Sequence, residues 1–232
     1  MKAPLPTLVI FCKRPKLHQG KQRLTEATTP ENALKVAHAL LACAIEDAQA
    51  WTGNVVFACA HHEDKQWMQS QMPSAMVMSQ LPNGISGNLG ERLNYIDSEL
   101  RKLGHNQLIF IGTDAPILNQ THYQSVLTEL QSNDIALSPA DDGGVVIMAN
   151  NTPWPNIKNL AWSTYSLGSE LKQTCKQQQL TVATAVAGYD VDYVTDLKKS
   201  IDDLDGDSRP ARQALVKLIN DLFHFSGETQ DD

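Results

Sequence analysis

Short, uninterrupted apolar runs alternate along this chain with longer stretches in which apolar residues recur every three to four positions. A run of about five Val, Ile, Leu, Phe or Ala residues suits a strand covered on both faces. An amphipathic stretch between two such runs suits the helix that crosses over between parallel neighbours. The runs at 8–12, 55–59, 108–112, 135–138, 145–149 and 182–187 are therefore expected as strands. Between the first two, Thr29-Pro30-Glu31 reads as an N-cap, a proline at the first helical position and an acid suited to the helix dipole. Leu34, Ala37, His38, Leu41, Ala44 and Ile45 then form one stripe. Helices are also expected over 90–103, 120–130 and about 208–223. The expected fold is α/β, a mostly parallel central sheet flanked by helices on both faces.

A length of 232 residues fits one domain, expected over 1–225 with 226–232 as a frayed tail. The 19 Lys and Arg against 26 Asp and Glu leave a net charge of -7, which argues against nucleic acid or an anionic membrane as partner and requires any phosphate site to be local. No apolar run approaches the roughly 18–20 residues of a membrane span. The first run is followed by Lys13 and Arg14 rather than a small-residue cleavage site, so a cytoplasmic protein is expected. Cys12, Cys43, Cys59 and Cys175 form no CxxC pair and read as reduced structural residues.

Several familiar signatures fail. Gly84, Gly87 and Gly90 recur every third residue, but no GxGxxG follows a strand. Gly20-Lys21 has Pro15 where a phosphate-binding P-loop needs its first glycine and Gln22 where it needs Ser or Thr. The acidic run 202–206 resembles a calcium loop, yet aligning Gly206 to its sixth position puts Ile201 at the first ligand and Arg212 at the last. His61-His62-Glu63-Asp64 reads as a solvated segment, because adjacent histidines point apart. There is no GxSxG nucleophile elbow.

Four segments can carry chemistry. Residues 11–24 place Lys13, Arg14, Lys16, Lys21 and Arg23 just beyond the first strand, where open α/β sheets bind ligands, so Lys13, Lys21 and Arg23 are candidate polyphosphate ligands. Gly112-Thr113-Asp114-Ala115-Pro116 ends another buried strand in a hydroxyl and a carboxylate, and Asp114 could hold Mg²⁺ or simply cap the turn. Asp141-Asp142-Gly143-Gly144 could bind sugar hydroxyls, a metal or an attacking group, or form a plain hairpin turn. Tyr189-Asp190-Val191-Asp192 follows the last strand and could bring a second carboxylate to the ion held by Asp114.

In order, these segments resemble the nucleotide-diphospho-sugar transferase superfamily, whose glycosyltransferase-A fold also includes nucleotidyltransferases. They look closest to a bacterial group labelled glycosyltransferase-like or selenodomain-associated transferase. That group's pattern runs F-A-K-x-P-x-x-G-x-x-K-T-R-L, G-D-L-G-E-R, G-S-D-x-P, P-A-x-D-G-G-Y-Y, W-S-T and D-V-D-T-x-x-D-L. The counterparts here are residues 11–24, 87–92, 112–116, 139–146, 162–164 and 190–197, a match spanning about 7–200. The resemblance implies that Lys13, Lys21 and Arg23 contact nucleotide phosphates, with Thr113, Gly90, Glu91 and Arg92 on the nucleotide side. It makes Asp114 the metal aspartate and Asp192 a second ligand, with Asp190 beside it. It sets Asp141, Asp142, Gly143 and Gly144 on the sugar or acceptor side, and Asp114, Asp142 and Lys21 as the catalytic group. His18 replaces the group's glycine, Gln22 its threonine, Asn88 its aspartate and Val145-Val146 its Tyr-Tyr.

The resemblance implies a Mg²⁺- or Mn²⁺-dependent transferase that passes a glycosyl group from a nucleoside-diphosphate sugar to an acceptor. Nucleotidyl transfer from a nucleoside triphosphate with release of pyrophosphate is the near alternative, supported by the cationic first loop. A non-catalytic relative that binds a nucleotide sugar is the third. Base, sugar, acceptor and oligomeric state are not specified by these residues.

Overall fold

The computed structural model describes residues 6–223, so the tail expected at 226–232 lies outside the described residues. Strands β1 (Thr7–Cys12), β2 (Val55–Cys59), β3 (Met76–Ser79), β4 (Leu108–Ile111), β5 (Ile135–Pro139), β6 (Val145–Asn150) and β7 (Val182–Thr184) form one sheet in the order β3-β2-β1-β4-β6-β5-β7. All pairings are parallel except those of β6, which runs against both β4 and β5. The expected mostly parallel α/β sheet is the one observed. Reversing β6 has a local consequence: its first residues lie at the same edge as the last residues of the other strands.

Helices α1 (Gln22–Ala27), α2 (Pro30–Ala50), α3 (Lys65–Gln71), α4 (Leu89–Lys102), α5 (Gln120–Glu129), α6 (Leu167–Gln177), α7 (Val194–Asp203) and α8 (Pro210–Phe223) complete the described chain. Side chains alternate across each strand, so Leu8, Ile10 and Cys12 of β1 join one core cluster while Val9 joins the other. The first cluster takes Val36 and Leu40 of α2, Val126 of α5, Leu197 of α7 and Leu215 of α8. The second takes Leu93, Ile96 and Leu100 of α4 with Leu171 and Cys175 of α6. Both faces are thereby covered, which is why the central strands read as apolar at successive positions.

Four short helices and β3 were not expected from the sequence. β3 is an edge strand with Met76 exposed, so it lacks the buried run that marks its neighbours. The run at 182–187 leaves the ladder after Thr184, where Val186 N–H donates to Ser125 Oγ and Ser138 Oγ–H donates to Val186 O. The chain rejoins β5 at Gly188, whose N–H donates to Pro139 O at 2.9 Å. That detour aims 189–192 at the sheet's carboxyl edge. The four cysteines are free thiols, as expected, and all are buried. Among the described residues no helix is long and apolar enough to cross a membrane.

Candidate active site

Three loops meet at the carboxyl edge, two leaving the central strands β1 and β4 and the third returning from the edge strand β7. Backbone and side chain tie them together. Val191 N–H donates to Asp114 O at 2.7 Å, joining the loops after β7 and β4. Lys21, from the loop after β1, donates through Nζ to Val191 O at 2.6 Å and lies 2.9 Å from Asp114 Oδ1 and 3.7 Å from Asp192 Oδ1. Arg23 Nη1 donates to the other oxygen of Asp192 at 2.8 Å, and its guanidinium stands 4.8 Å above the Tyr193 ring. The expected meeting of Lys21, Arg23, Asp114 and Asp192 is therefore real in space, although they are separated by up to about 170 residues.

The loop after β1 is shaped by three left-handed positions within four residues, His18 at φ 61°, Gly20 at φ 75° and Lys21 at φ 52°. The glycine that the resembling group carries at position 18 thus corresponds to a place where positive φ is required, and His18 accepts that strain here. Lys16 pairs with buried Asp64 at 3.0 Å and braces the loop away from the site, whereas Arg14 lies over the Trp67 ring and also borders a small recess beside Lys21.

A cleft of about 410 Å³ opens at these tips, floored by Phe11, Phe110, Met148, Leu93 and Trp162 and walled by Arg23, Asp114, Asp142, Asp190 and Asp192. A second recess of about 440 Å³ shares Arg23, Asp142, Asp190 and Asp192 with it and continues past Tyr165, Tyr189, Tyr193 and Lys199. A smaller one of about 160 Å³ lies on the other side of Lys21, lined by Lys13, Gly20, Thr113 and Asp114. Phe11, Trp162 and Tyr189 fell within segments quoted from the sequence, but Phe110, Met148, Leu93, Tyr165 and Tyr193 were not singled out there as site residues. Tyr189 and Tyr193, flanking the Asp190-Val191-Asp192 run, were the available signal.

Asp190 is the electrostatic outlier. Burial pushes its carboxyl up to about 7, the charges of Asp114, Asp192 and Asp142 push the same way, and Lys21 opposes them. It has no hydrogen-bond partner among the described residues, whereas Asp114 and Asp192 are paired. Three carboxylates and one unmet negative charge are donor chemistry that suits a hard divalent ion. The set is not preassembled: among the described residues no group of three or more His, Cys, Asp or Glu stands ready to hold a metal. Lys21 is the cation that neutralises Asp114 and Asp192 in its place.

The remaining expected site residues divide. Asp142 lines the cleft, and its Oδ1 accepts from Gly144 N–H at 2.9 Å. Asp141 pairs with Lys199 of α7 at 2.6 Å and lines the second recess. Gly144 borders the cleft, but Gly143 does not; with φ 87° it lies under the 163–168 loop, where a Cβ would come within 2.0 Å of Tyr165 O. Gly90 and Arg92, expected on the nucleotide side, line none of these three cavities and make packing and hydrogen-bond contacts instead. A Cβ on Gly90 would stand 2.4 Å from Ile157 O, so this glycine lets α4 pack against the 157–162 segment. Arg92 donates to Gly87 O, Ala60 O and Gln80 Oε1 and faces none of the three cavities. Glu91 closes a capping box with Asn88, and Asn88 also donates to Lys158 O at 2.7 Å, a bond that the aspartate of the resembling group could not make.

Residues 43–164 match a family described as uncharacterised proteins conserved in bacteria (DUF2064). The chain belongs to that family. A search of curated proteins finds no match. Among solved structures, a protein of Desulfovibrio desulfuricans G20 provisionally named a nucleotide-diphospho-sugar transferase superposes with a TM-score of 0.82 at 20% identity, covering 94% of this chain and 97% of that one. A Bacillus anthracis protein provisionally named a glucose-1-phosphate thymidylyltransferase, solved with sucrose, gives 0.54 at 12% identity over 91% and 96%. The bifunctional IspDF of Campylobacter jejuni gives 0.52 at 11% over 84% of this chain and 54% of its own. At these identities the likeness is one of fold: this DUF2064 member has the nucleotide-diphospho-sugar transferase fold.

Proposed function

We propose that this protein is a Mg²⁺- or Mn²⁺-dependent transferase that takes a nucleoside-diphosphate sugar into the 410 Å³ cleft and passes its glycosyl group to an acceptor in the adjoining recess. The observation that carries this reading is the convergence of Asp114, Asp190 and Asp192 with Lys21 and Arg23 at one end of the sheet. Asp114, Asp190 and Asp192 would hold the divalent ion, whose chemistry is to place positive charge against the diphosphate.

Lys21, Arg23 and Lys13 would bind phosphate oxygens and stabilise the charge that grows there as the bond from the anomeric carbon to phosphate oxygen breaks. The apolar floor, Phe11, Phe110 and Trp162 in particular, suits the flat faces of a base or sugar. The acceptor hydroxyl would attack the anomeric carbon, the bonding pair would leave with the nucleoside diphosphate, and Asp142 would take the hydroxyl proton. Asp142 Oδ2 has no hydrogen-bond partner among the described residues, while Gly144 N–H fixes the other oxygen.

Nucleotidyl transfer has its own support, the 160 Å³ recess between Lys13, Thr113 and Lys21, which suits a further phosphate. There, a phosphate-monoester oxygen would attack the α-phosphorus and pyrophosphate would leave. A thermal-shift panel of nucleoside triphosphates and UDP-, GDP-, CDP- and dTDP-sugars, with and without Mg²⁺ or Mn²⁺, separates these readings. A ligand at 100 times its Kd stabilises by about 2.7 kcal/mol, which corresponds to roughly 5–11 °C for a chain of this size. Metal-dependent stabilisation by one nucleotide sugar, followed by release of its nucleoside diphosphate on turnover, supports glycosyl transfer. Preference for a triphosphate supports nucleotidyl transfer, binding without turnover supports a non-catalytic relative, and no shift at all refutes the nucleotide site.

A further inference from the structure

Lys21 is held with more contacts than a phosphate ligand waiting for substrate would need. Its side chain is 9% exposed, and its ammonium donates to Asp114 and to Val191 O while facing Asp192 at 3.7 Å. Its backbone is left-handed at φ 52°, ψ 36°, a conformation that a long L side chain adopts at a cost, at the head of α1. Thr25 N–H and Oγ1–H both donate to Lys21 O, anchoring the residue from behind. The ammonium therefore stands among the oxygens that a divalent ion would take.

We propose that Lys21 is the resident counter-ion of this carboxylate site, excluding a free divalent cation until a phosphate draws its ammonium away, so that metal and nucleotide enter together. This rests on the reading of Asp114 and Asp192 as metal ligands. A free ion approaching Asp114 meets an ammonium 2.9 Å from the oxygen it needs. The two like charges would then compete for the same oxygens at contact distance, with the Lys21 side chain only 9% exposed and so poorly screened by water. A phosphate changes the balance because it gives the ammonium a new anionic acceptor. The recess beside Lys21, lined by Lys13, Gly20 and Thr113, offers room for one without moving the strands. The exchange is purely ionic: one cation leaves the carboxylates and another takes its place.

The test is Mn²⁺ binding to the full chain, read by the loss of the free-ion EPR signal beyond that of the same solution without protein, with Mn²⁺ alone and with Mn²⁺ plus inorganic pyrophosphate. Lys21→Met keeps the stem and the same backbone demand while removing the charge, and Lys21→Gln serves if the methionine variant fails to fold. Both should bind Mn²⁺ alone about tenfold or more tightly than the unsubstituted chain, the size of effect that one charge at contact distance has on a neighbouring equilibrium. Pyrophosphate should raise Mn²⁺ affinity in the unsubstituted chain and do so much less in either variant. Lys16→Met, which removes an equal charge paired elsewhere with Asp64, should leave Mn²⁺ affinity unchanged. Equal Mn²⁺ affinity in the unsubstituted and Lys21 chains would overturn the counter-ion role while leaving the metal site standing. Absence of Mn²⁺ binding in every chain, with or without pyrophosphate, would overturn the metal site itself and this inference with it.

Discussion

Replacing Arg212 with methionine tests how the site loop after β4 is held. Arg212 of α8 is 1% exposed, and all five of its N–H donors are used. Nε donates to Pro116 O at 3.1 Å, Nη1 to Cys43 O and to Glu46 Oε2 at 2.9 Å, and Nη2 to Asp47 Oδ2 at 2.7 Å and Leu118 O at 3.3 Å. One side chain thus fastens α8 to α2 and to the 116–118 turn that follows Asp114. Methionine preserves most of the apolar stem, so the loss isolates the charge and its hydrogen bonds from packing. Asp47 would keep Arg209 at 3.0 Å and Tyr123 at 3.1 Å, which softens the penalty, but burial already pushes its carboxyl upward and Arg212 is the main group holding it down. Breaking a buried pair by removing one partner costs about 3–5 kcal/mol, or roughly 6–20 °C in Tm at this chain length. Urea denaturation of Arg212→Met, Asp47→Asn and the double variant reads both the loss and the coupling. A loss below about 1 kcal/mol, or strict additivity of the two substitutions, would refute the reasoning.

Other consequences are as specific. Burial lowers the pKa of His122, whose Nε2 lies 3.2 Å from Ala187 O. The unfolded chain therefore takes up this proton first, and stability falls as pH drops below about 6.5. His122→Gln should remove that part of the slope in urea titrations at pH 5 to 8, and an unchanged difference between the two chains across this range would count against it. Gly90→Ala should destabilise by about 1–3 kcal/mol despite the better helix propensity of alanine, because its Cβ meets Ile157 O at 2.4 Å; a rise in Tm would show that the 157–162 segment gives way freely. Asp114→Ala should abolish turnover with whichever nucleotide the ligand panel selects while keeping the fold by circular dichroism, and full activity would remove Asp114 from the reaction.

The parts of the molecule that sequence pattern reaches are those whose surroundings are uniform. β1, β2, β4, β5 and β6 were legible because both faces of the sheet are covered, which demands apolar residues in succession. α2 was legible because its Thr29 cap, Pro30 and apolar stripe act locally. β3, at an edge, and α1, of six residues, lack both signals. Among the site residues, Lys21, Arg23, Asp114 and Asp192 were legible as charges placed at strand ends, a rule of topology and not of contact.

Contact is what the sequence could not supply. Arg14 and Lys16 are as basic as Lys21, yet they brace the first loop against Trp67 and Asp64. Gly90 and Arg92 were expected beside a nucleotide, and their contacts in the fold are packing against Ile157 and a hydrogen-bonded brace to Gln80. The order of residues determined that this chain buries a double-sided sheet and carries its charges at one edge, because burial and periodicity are properties of short segments. Which charges face one another was decided by the reversal of β6, the detour at 185–188 and the Val191 to Asp114 bond, which bring together residues far apart in the chain.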